Sequence, residues 1–136
     1  MQTFVPSPII TETVECLDYR RLGKQRVEAF QIIKALTVPS YGWKNHPATK
    51  MWAEHVPALK WYYNHCVREW VSRGYNNTMK LYPSEELEGA LPDWWGDNRV
   101  HSSHRAALLH KNHAFYSQYD WAETPALNYH WPTEAQ

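Results

Sequence analysis

Apolar residues recur along this chain at helical spacing, and no stretch alternates as a strand for more than a few residues. Residues 1–10 read as extended, because Pro6 and Pro8 oppose helix. Thr11 stands where an N-cap would open a helix from Glu12, and Gly23 marks a place where that helix could bend or divide. From Leu22 to Leu36 the periodicity is strongest. Leu22, Val27, Ala29, Phe30, Ile33 and Leu36 fall on one broad face, and Arg21, Lys24, Gln25 and Glu28 on the other. Arg26 projects near the apolar side, where it needs a partner or a route to solvent. Pro39 ends this helix, Pro47 suits the first turn of a second and Pro57 the start of a third. The third carries the stripe Leu59, Tyr63, Cys66, Val67, Trp70 and stops at Arg73-Gly74. A short helix fits Ser84–Leu87, another runs from Asn98 to Lys111, and the tail TPALNYHWPTEAQ is irregular. The expected architecture is one all-α domain over residues 1–136, a compact bundle of four or five helices with irregular termini.

Composition narrows the class. With 43% hydrophobic and 21% charged residues the chain is globular, and no run reaches the length of a membrane span. The N-terminus has no basic region followed by an apolar core, so no secretory leader is expected; Cys16 and Cys66 are read as reduced, in a cytoplasmic and monomeric protein. Net charge is zero but unevenly spread. Residues 1–80 hold eleven Lys/Arg against six Asp/Glu, and residues 81–136 hold three against eight. A basic half can face phosphates, although ordinary surface scatter gives the same counts. The eight Trp, nine Tyr and three Phe serve a core first and base stacking second.

Three groups of residues could carry chemistry. In the first, Glu28 is a single carboxylate among Arg20, Arg21, Lys24 and Arg26. The cations can neutralise phosphates, and the glutamate can move a proton or stabilise a sugar cation. The bland alternative is an intrahelical Lys24–Glu28 pair on a solvated face. In the second, the loop YGWKNHP offers Tyr41 and Trp43 for stacking, Lys44 for phosphate, and Asn45 and His46 for base or sugar contacts; Asn45 or His46 could instead cap the helix opened by Pro47. In the third, His101, His104 and Arg105 could hold a phosphate near a helix N-terminus. The spacing of His101–His104 and His110–His113 matches no zinc pattern, so neither a metal nor another cofactor is expected. No phosphate loop, GxSxG or HExxH motif is present.

Glu28-Ala29 followed by Gly42-Trp43-Lys44-Asn45-His46-Pro47 resembles the pyrimidine-dimer DNA glycosylase/AP lyase family, small all-α excision enzymes of viruses and bacteria. The likeness spans about residues 1–75. Through LGKQRVE, YGWKNHP, SHRAALL and the aromatic-proline tail, the chain also resembles uncharacterised bacterial and phage proteins. The family resemblance implies base excision from damaged or modified duplex DNA, with Glu28 as the catalytic carboxylate and flanking arginines on phosphates. It also implies an α-amine nucleophile that leaves a Schiff base and then cleaves the strand.

Two positions depart from the family pattern. Gln2 follows Met1, and a second-position glutamine blocks removal of the initiator methionine; viral members expose a small residue instead. The nucleophile is then the Met1 amine, Lys24, or a water activated by Glu28. Val27 precedes Glu28 where the family usually has Arg, which leaves Arg26 to act from another angle. Two other readings remain open: a nucleic-acid-binding module without chemistry, and a small nucleotide-processing enzyme built on the His/Arg cluster.

Overall fold

The computed structural model describes residues 2–132. Among them are six α-helical segments, two 3₁₀ turns and no strand. The segments are α1 (Ile10–Glu15), α2 (Tyr19–Thr37), α3 (Pro47–Lys50), α4 (Val56–Ser72), α5 (Asn98–Lys111) and α6 (His113–Tyr116). The 3₁₀ turns are Ser84–Glu86 and Ser117–Tyr119. The all-α expectation holds; the described residues form six α-helices rather than four or five, because the chain breaks between α1 and α2 and because α6 is a single turn that periodicity does not detect, while the helix expected at Ser84–Leu87 is a 3₁₀ turn over Ser84–Glu86.

The long helices start and stop for identifiable reasons. α1 begins at Ile10, two residues before the expected start. Thr13 is buried and its Oγ1 both accepts from the Ser7 N–H (3.1 Å) and donates to the Ser7 carbonyl (2.7 Å), so the turn is organised from inside the helix rather than by Thr11. α2 runs unbroken through Gly23. A Cβ there would lie 3.0 Å from the Trp70 ring, so the glycine admits Trp70 of α4 against the α2 backbone. The break comes at Cys16–Asp18 instead. The Asp18 N–H donates to the Tyr116 hydroxyl (3.0 Å), and that hydroxyl donates back to the Asp18 carboxylate, joining α6 to the start of α2. Pro47 opens α3, and the His46 side chain caps it by accepting from the Ala48 N–H at 3.0 Å. Gly74, at φ +87°, follows the last turn of α4.

α2 and α4 form the central pair of the bundle. The α4 stripe Leu59, Tyr63, Cys66, Val67 and Trp70 is buried as expected. The α2 face is rotated from its expected position. Val27 is 42% exposed, while Gln25 is fully buried beside Ile32 and Ile33. Gln25 faces inward because it holds the N-terminal segment, which crosses the bundle as extended chain. Its Oε1 accepts from the Phe4 N–H (2.9 Å), and its Nε2 donates to the Gln2 carbonyl (2.9 Å) and to Glu28 (3.1 Å). The Tyr62 hydroxyl lies 2.7 Å from Gln25 Oε1 and 2.8 Å from the Phe4 carbonyl, with one proton to share between them. All donor and acceptor capacity of the Gln25 amide is thereby used.

α5 holds the same segment from its other side. His104 Nδ1 accepts from the Val5 N–H (2.8 Å), and His101 Nδ1 donates to the Val5 carbonyl (2.7 Å) while its Nε2 accepts from the Gly96 N–H (3.0 Å). Arg105 donates to the Pro6 carbonyl (2.8 Å) and pairs with Glu123 (2.8 Å). Thr3 Oγ1 accepts from the Trp52 indole (3.0 Å), so the four residues after Gln2 have partners on α2, α4, α5 and the segment after α3.

Replacing Gln25 by Ala leaves the Phe4 N–H and the Gln2 carbonyl buried without partners. The expected loss is about 2–4 kcal/mol of stability. Amide exchange should rise over residues 2–6 more than in α4. Denaturant melts and hydrogen exchange check both.

Candidate active site

The carboxylate of Glu28 opens into a cavity of about 500 Å³, within the range of ligand sites. α2 supplies Arg20, Arg21, Lys24, Gln25 and Glu28; the N-terminal segment supplies Gln2 and Phe4; Lys111, Leu127 and Tyr129 close the far side. Glu28 is the single carboxylate among these residues, against four cations. Arg21 is tied to Asp18 at 3.2 Å. Arg20, Lys24 and Lys111 have no ion-pair partner among the described residues. Lys24 forms no salt bridge with Glu28, so the simple intrahelical pair does not occur.

Burial pushes the Glu28 carboxyl above the ordinary glutamate range, a shift reduced by the Gln2 N–H, by Lys24 and by Gln25. The Gln25 amide bridges this carboxylate to the backbone carbonyl of the second residue. Tyr129 lies close enough for the Glu28 charge to raise its phenol further, after burial has done most of that. The site thus combines an acid–base group that keeps its proton to higher pH than an ordinary glutamate with cations that can hold a phosphate backbone.

Other expected site residues lie elsewhere. Met1 is outside the described residues. Arg26 stacks over Trp70 at 4.1 Å and donates to Asn77 at 2.8 Å, away from the cavity lining, so it does not stand in for an arginine beside Glu28. Lys44 points its ammonium at the carbonyls of Val38 (3.2 Å) and Ala35 (3.4 Å), a helix-capping contact at the end of α2. Tyr41 is half-buried and Asn45 exposed. Trp43 is 56% exposed at φ +71°, a conformation that is strained for an aromatic residue. Its ring meets His46 at 6.1 Å, His46 meets Trp131 at 6.4 Å, and Trp131 meets Tyr129 at 5.5 Å. That line of rings connects the YGWKNHP loop to the cavity wall.

The His101–His104–Arg105 group is a correction to the sequence reading. His101 and His104 are 2% and 0% exposed and face the N-terminal segment, not solvent. Burial pulls the His104 imidazole down to about 3, with the neighbouring His101 adding to the shift, so His104 stays neutral at working pH. Arg105 is committed to Glu123 and Pro6. These residues are structural, which removes the basis for a nucleotide-processing site there.

Residues 1–83 match the family model described as pyrimidine dimer DNA glycosylase. The chain belongs to that family. No curated protein and no solved structure gives a significant match. Membership in the pyrimidine dimer DNA glycosylase family supports a DNA glycosylase-type function with DNA as substrate. The matched region contains Gln2, Phe4, Arg20, Arg21, Lys24, Gln25 and Glu28; the wall formed by Lys111, Leu127 and Tyr129 lies beyond it. Among the described residues, no helix is long and apolar enough to cross a membrane.

Sequence reasoning did not find Gln2, Phe4, Gln25, Lys111, Leu127 or Tyr129. Gln25 gave one usable signal, a polar residue one turn before Glu28 and bordering an apolar stripe. Lys111 and Tyr129 gave none, because only the fold brings them to α2.

A carboxyl whose titration is raised by folding favours the folded state most at low pH, and that contribution is lost as pH rises from the unfolded value through the folded one. At neutral pH the charged Glu28 therefore costs stability. Glu28→Gln should raise Tm at pH 7–8, with the gain shrinking toward pH 4. Thermal melts across that range check the sign.

Proposed function

We propose that this chain is a DNA N-glycosylase with an AP-lyase step that removes damaged pyrimidines from duplex DNA. The observation that carries the reading is the Gln25 amide, which bonds both the Gln2 carbonyl (2.9 Å) and a half-buried Glu28 (3.1 Å), inside a cavity whose other charged groups are all cationic. It ties the start of the chain to the carboxylate.

In this reading the Met1 α-amine is the nucleophile. An α-amine has an unperturbed pKa of about 7.7–8.0, so much of it is neutral at working pH. Its lone pair attacks C1′ as the glycosidic C–N bond breaks, the base leaves with that electron pair, and the proton lost by the attacking nitrogen goes to the departing base. Glu28 delivers a proton for opening of the sugar ring, which leaves an iminium between the amine and C1′. The carboxylate then takes a proton from C2′, and the C3′–O bond breaks to cut the strand. Arg20, Arg21 and Lys24 hold flanking phosphates, and the target nucleotide leaves the stack to reach the cavity. Lys24 also lines the cavity, one turn from Glu28, and is the alternative amine.

The test is borohydride trapping on duplexes carrying an abasic site or a pyrimidine dimer. Wild type should give a covalent adduct, and peptide mapping should place it on Met1 rather than Lys24. Glu28→Gln should reduce turnover by about 10²–10⁴-fold. DNA binding without an adduct, base release or strand cleavage on either substrate would overturn the glycosylase/lyase reading in favour of a binding module.

The phosphate contacts have their own signature. Each one lost lowers the slope of log affinity against log salt by about 0.9. The Arg20→Ala/Lys24→Ala double variant should therefore lose close to two units of slope in a salt titration, whatever the sequence of the duplex.

A further inference from the structure

Trp43 stands apart from the other tryptophans of this chain. The remaining seven are buried or half-buried, whereas Trp43 is 56% exposed. It is also one of three described non-glycine residues with a left-handed backbone, at φ +71°. The other two, Glu54 and Asp120, are exposed polar residues. A bulky aromatic residue is strained in that region, and ring surface left in water is a second cost. Contacts within the fold account for neither, since among the described residues the indole meets a single ring, His46, edge-on at 6.1 Å.

The turn that carries the indole is nevertheless firmly anchored. Lys44 is tied to the Val38 and Ala35 carbonyls at the end of α2, His46 Nδ1 caps α3, and the His46 N–H donates to the Trp43 carbonyl at 3.2 Å. On the other side of Trp43, a Cβ added to Gly42 would meet nothing within 4 Å, so the turn stands clear of the body of the protein.

Two observations identify what covers the indole. Three ring contacts of 5.5–6.4 Å, through His46 and Trp131 to Tyr129, connect it to the wall of the Glu28 cavity. That separation is at most about half a turn of duplex, so DNA lying over the cavity also reaches Trp43. The chain from Ala29 to Ala53 carries Lys34, Lys44 and Lys50 and no Asp or Glu, which suits a polyanion.

We infer that Trp43 is a wedge: its indole enters the base stack of duplex DNA beside the cavity and fills the place of a nucleotide that has left it. This inference rests on the base-excision reading above and adds to it a residue that holds the duplex open; it transfers no proton. Apolar side chains inserted between base steps unstack a duplex, and every base offers a face on which an aromatic ring can stack. The indole carries no charge, so its contribution is separate from the phosphate contacts of Arg20 and Lys24.

The experiment measures the affinity of wild type, Trp43→Phe, Trp43→Ala and Trp43→Gly for an intact duplex and for the same duplex carrying a tetrahydrofuran abasic analogue, placed in one strand or the other. The analogue leaves a gap in the stack and has no glycosidic bond to cleave, so binding is read without turnover. Wild type should prefer the better of the two analogue duplexes by at least about fivefold, the lower end of what stacking one base on an aromatic ring contributes. Trp43→Phe should keep that preference to within twofold, and Trp43→Ala and Trp43→Gly should reduce it below twofold. The salt slope should be the same for all four proteins, because no phosphate contact is removed. Trp43→Gly should also melt at or above wild type, since glycine takes the left-handed conformation without strain. The inference is overturned if wild type lacks the preference, if the preference survives in Trp43→Ala, or if Trp43→Gly melts below wild type, which would make the indole a structural contact. Lack of base release from a dimer-bearing duplex is a different result: it sinks the glycosylase reading, and the affinity ratios still decide the wedge.

Discussion

The buried amide of Gln25 is the interaction on which the rest of this molecule depends. Residues 2–6 form no helix and no sheet, yet they are buried, so every backbone donor and acceptor there needs a specific partner. Gln25 meets part of that requirement from α2, and His101, His104 and Arg105 meet part of it from α5. The same Gln25 amide reaches Glu28. One side chain therefore fixes the start of the chain and orients the carboxylate, and the two cannot be positioned independently. Any chemistry that needs an N-terminal group near Glu28 inherits its precision from this contact.

The cavity also shows how a chain with zero net charge can offer a phosphate-binding site. Most of its paired cations are spent on structure: Arg73 on Glu69, Lys60 on Glu86, Arg99 on Asp97 and Arg105 on Glu123. Arg26 is held by Trp70 and Asn77. What remains beside Glu28 is a small group without ion pairs, Arg20, Lys24 and Lys111. A second cavity of about 460 Å³ lies on the far side of the N-terminal segment; it holds Glu12 and Glu15, and its one guanidinium, Arg105, is already neutralised by Glu123. Local arrangement, and not the overall count of charges, decides which face suits a polyanion.

Much of this was legible in the sequence, and the limits have physical causes. The extent of α5, the end of α2 before Pro39, the start of α3 at Pro47 and the α4 stripe all follow from local signals that depend on neighbours within a turn or two. Glu28, Lys24, Arg20 and Arg21 were legible together because they lie on one helix. The inward turn of Gln25 was not, because it is stabilised by Phe4 and Tyr62, 21 and 37 residues away. His101 and His104 misled for the same reason. An HxxH pair next to an arginine looks like a ligand set until an extended segment 96–99 residues away is seen to occupy one nitrogen of each ring. Gly23 read as a helix breaker, but the Trp70 ring that packs on it makes it a contact point within a continuous helix.

The site is costly to build, and two of the costs lie at the cavity itself. Glu28 is charged in a setting that disfavours its charge, the Gln2 amide is unpaired, and Trp43 holds a left-handed backbone while remaining largely exposed. Elsewhere the molecule satisfies several comparable groups: Gln25 uses its whole amide, and the Tyr116 hydroxyl both donates to and accepts from Asp18. The contrast matters because selection for stability alone would remove such costs wherever they serve no purpose. Rigid elements surround the two costly groups at the cavity: α2 carries Glu28 at mid-helix, and its Gln25 holds the Gln2 carbonyl. Neither can relax to relieve its unfavourable state without breaking the contacts that hold the N-terminal segment.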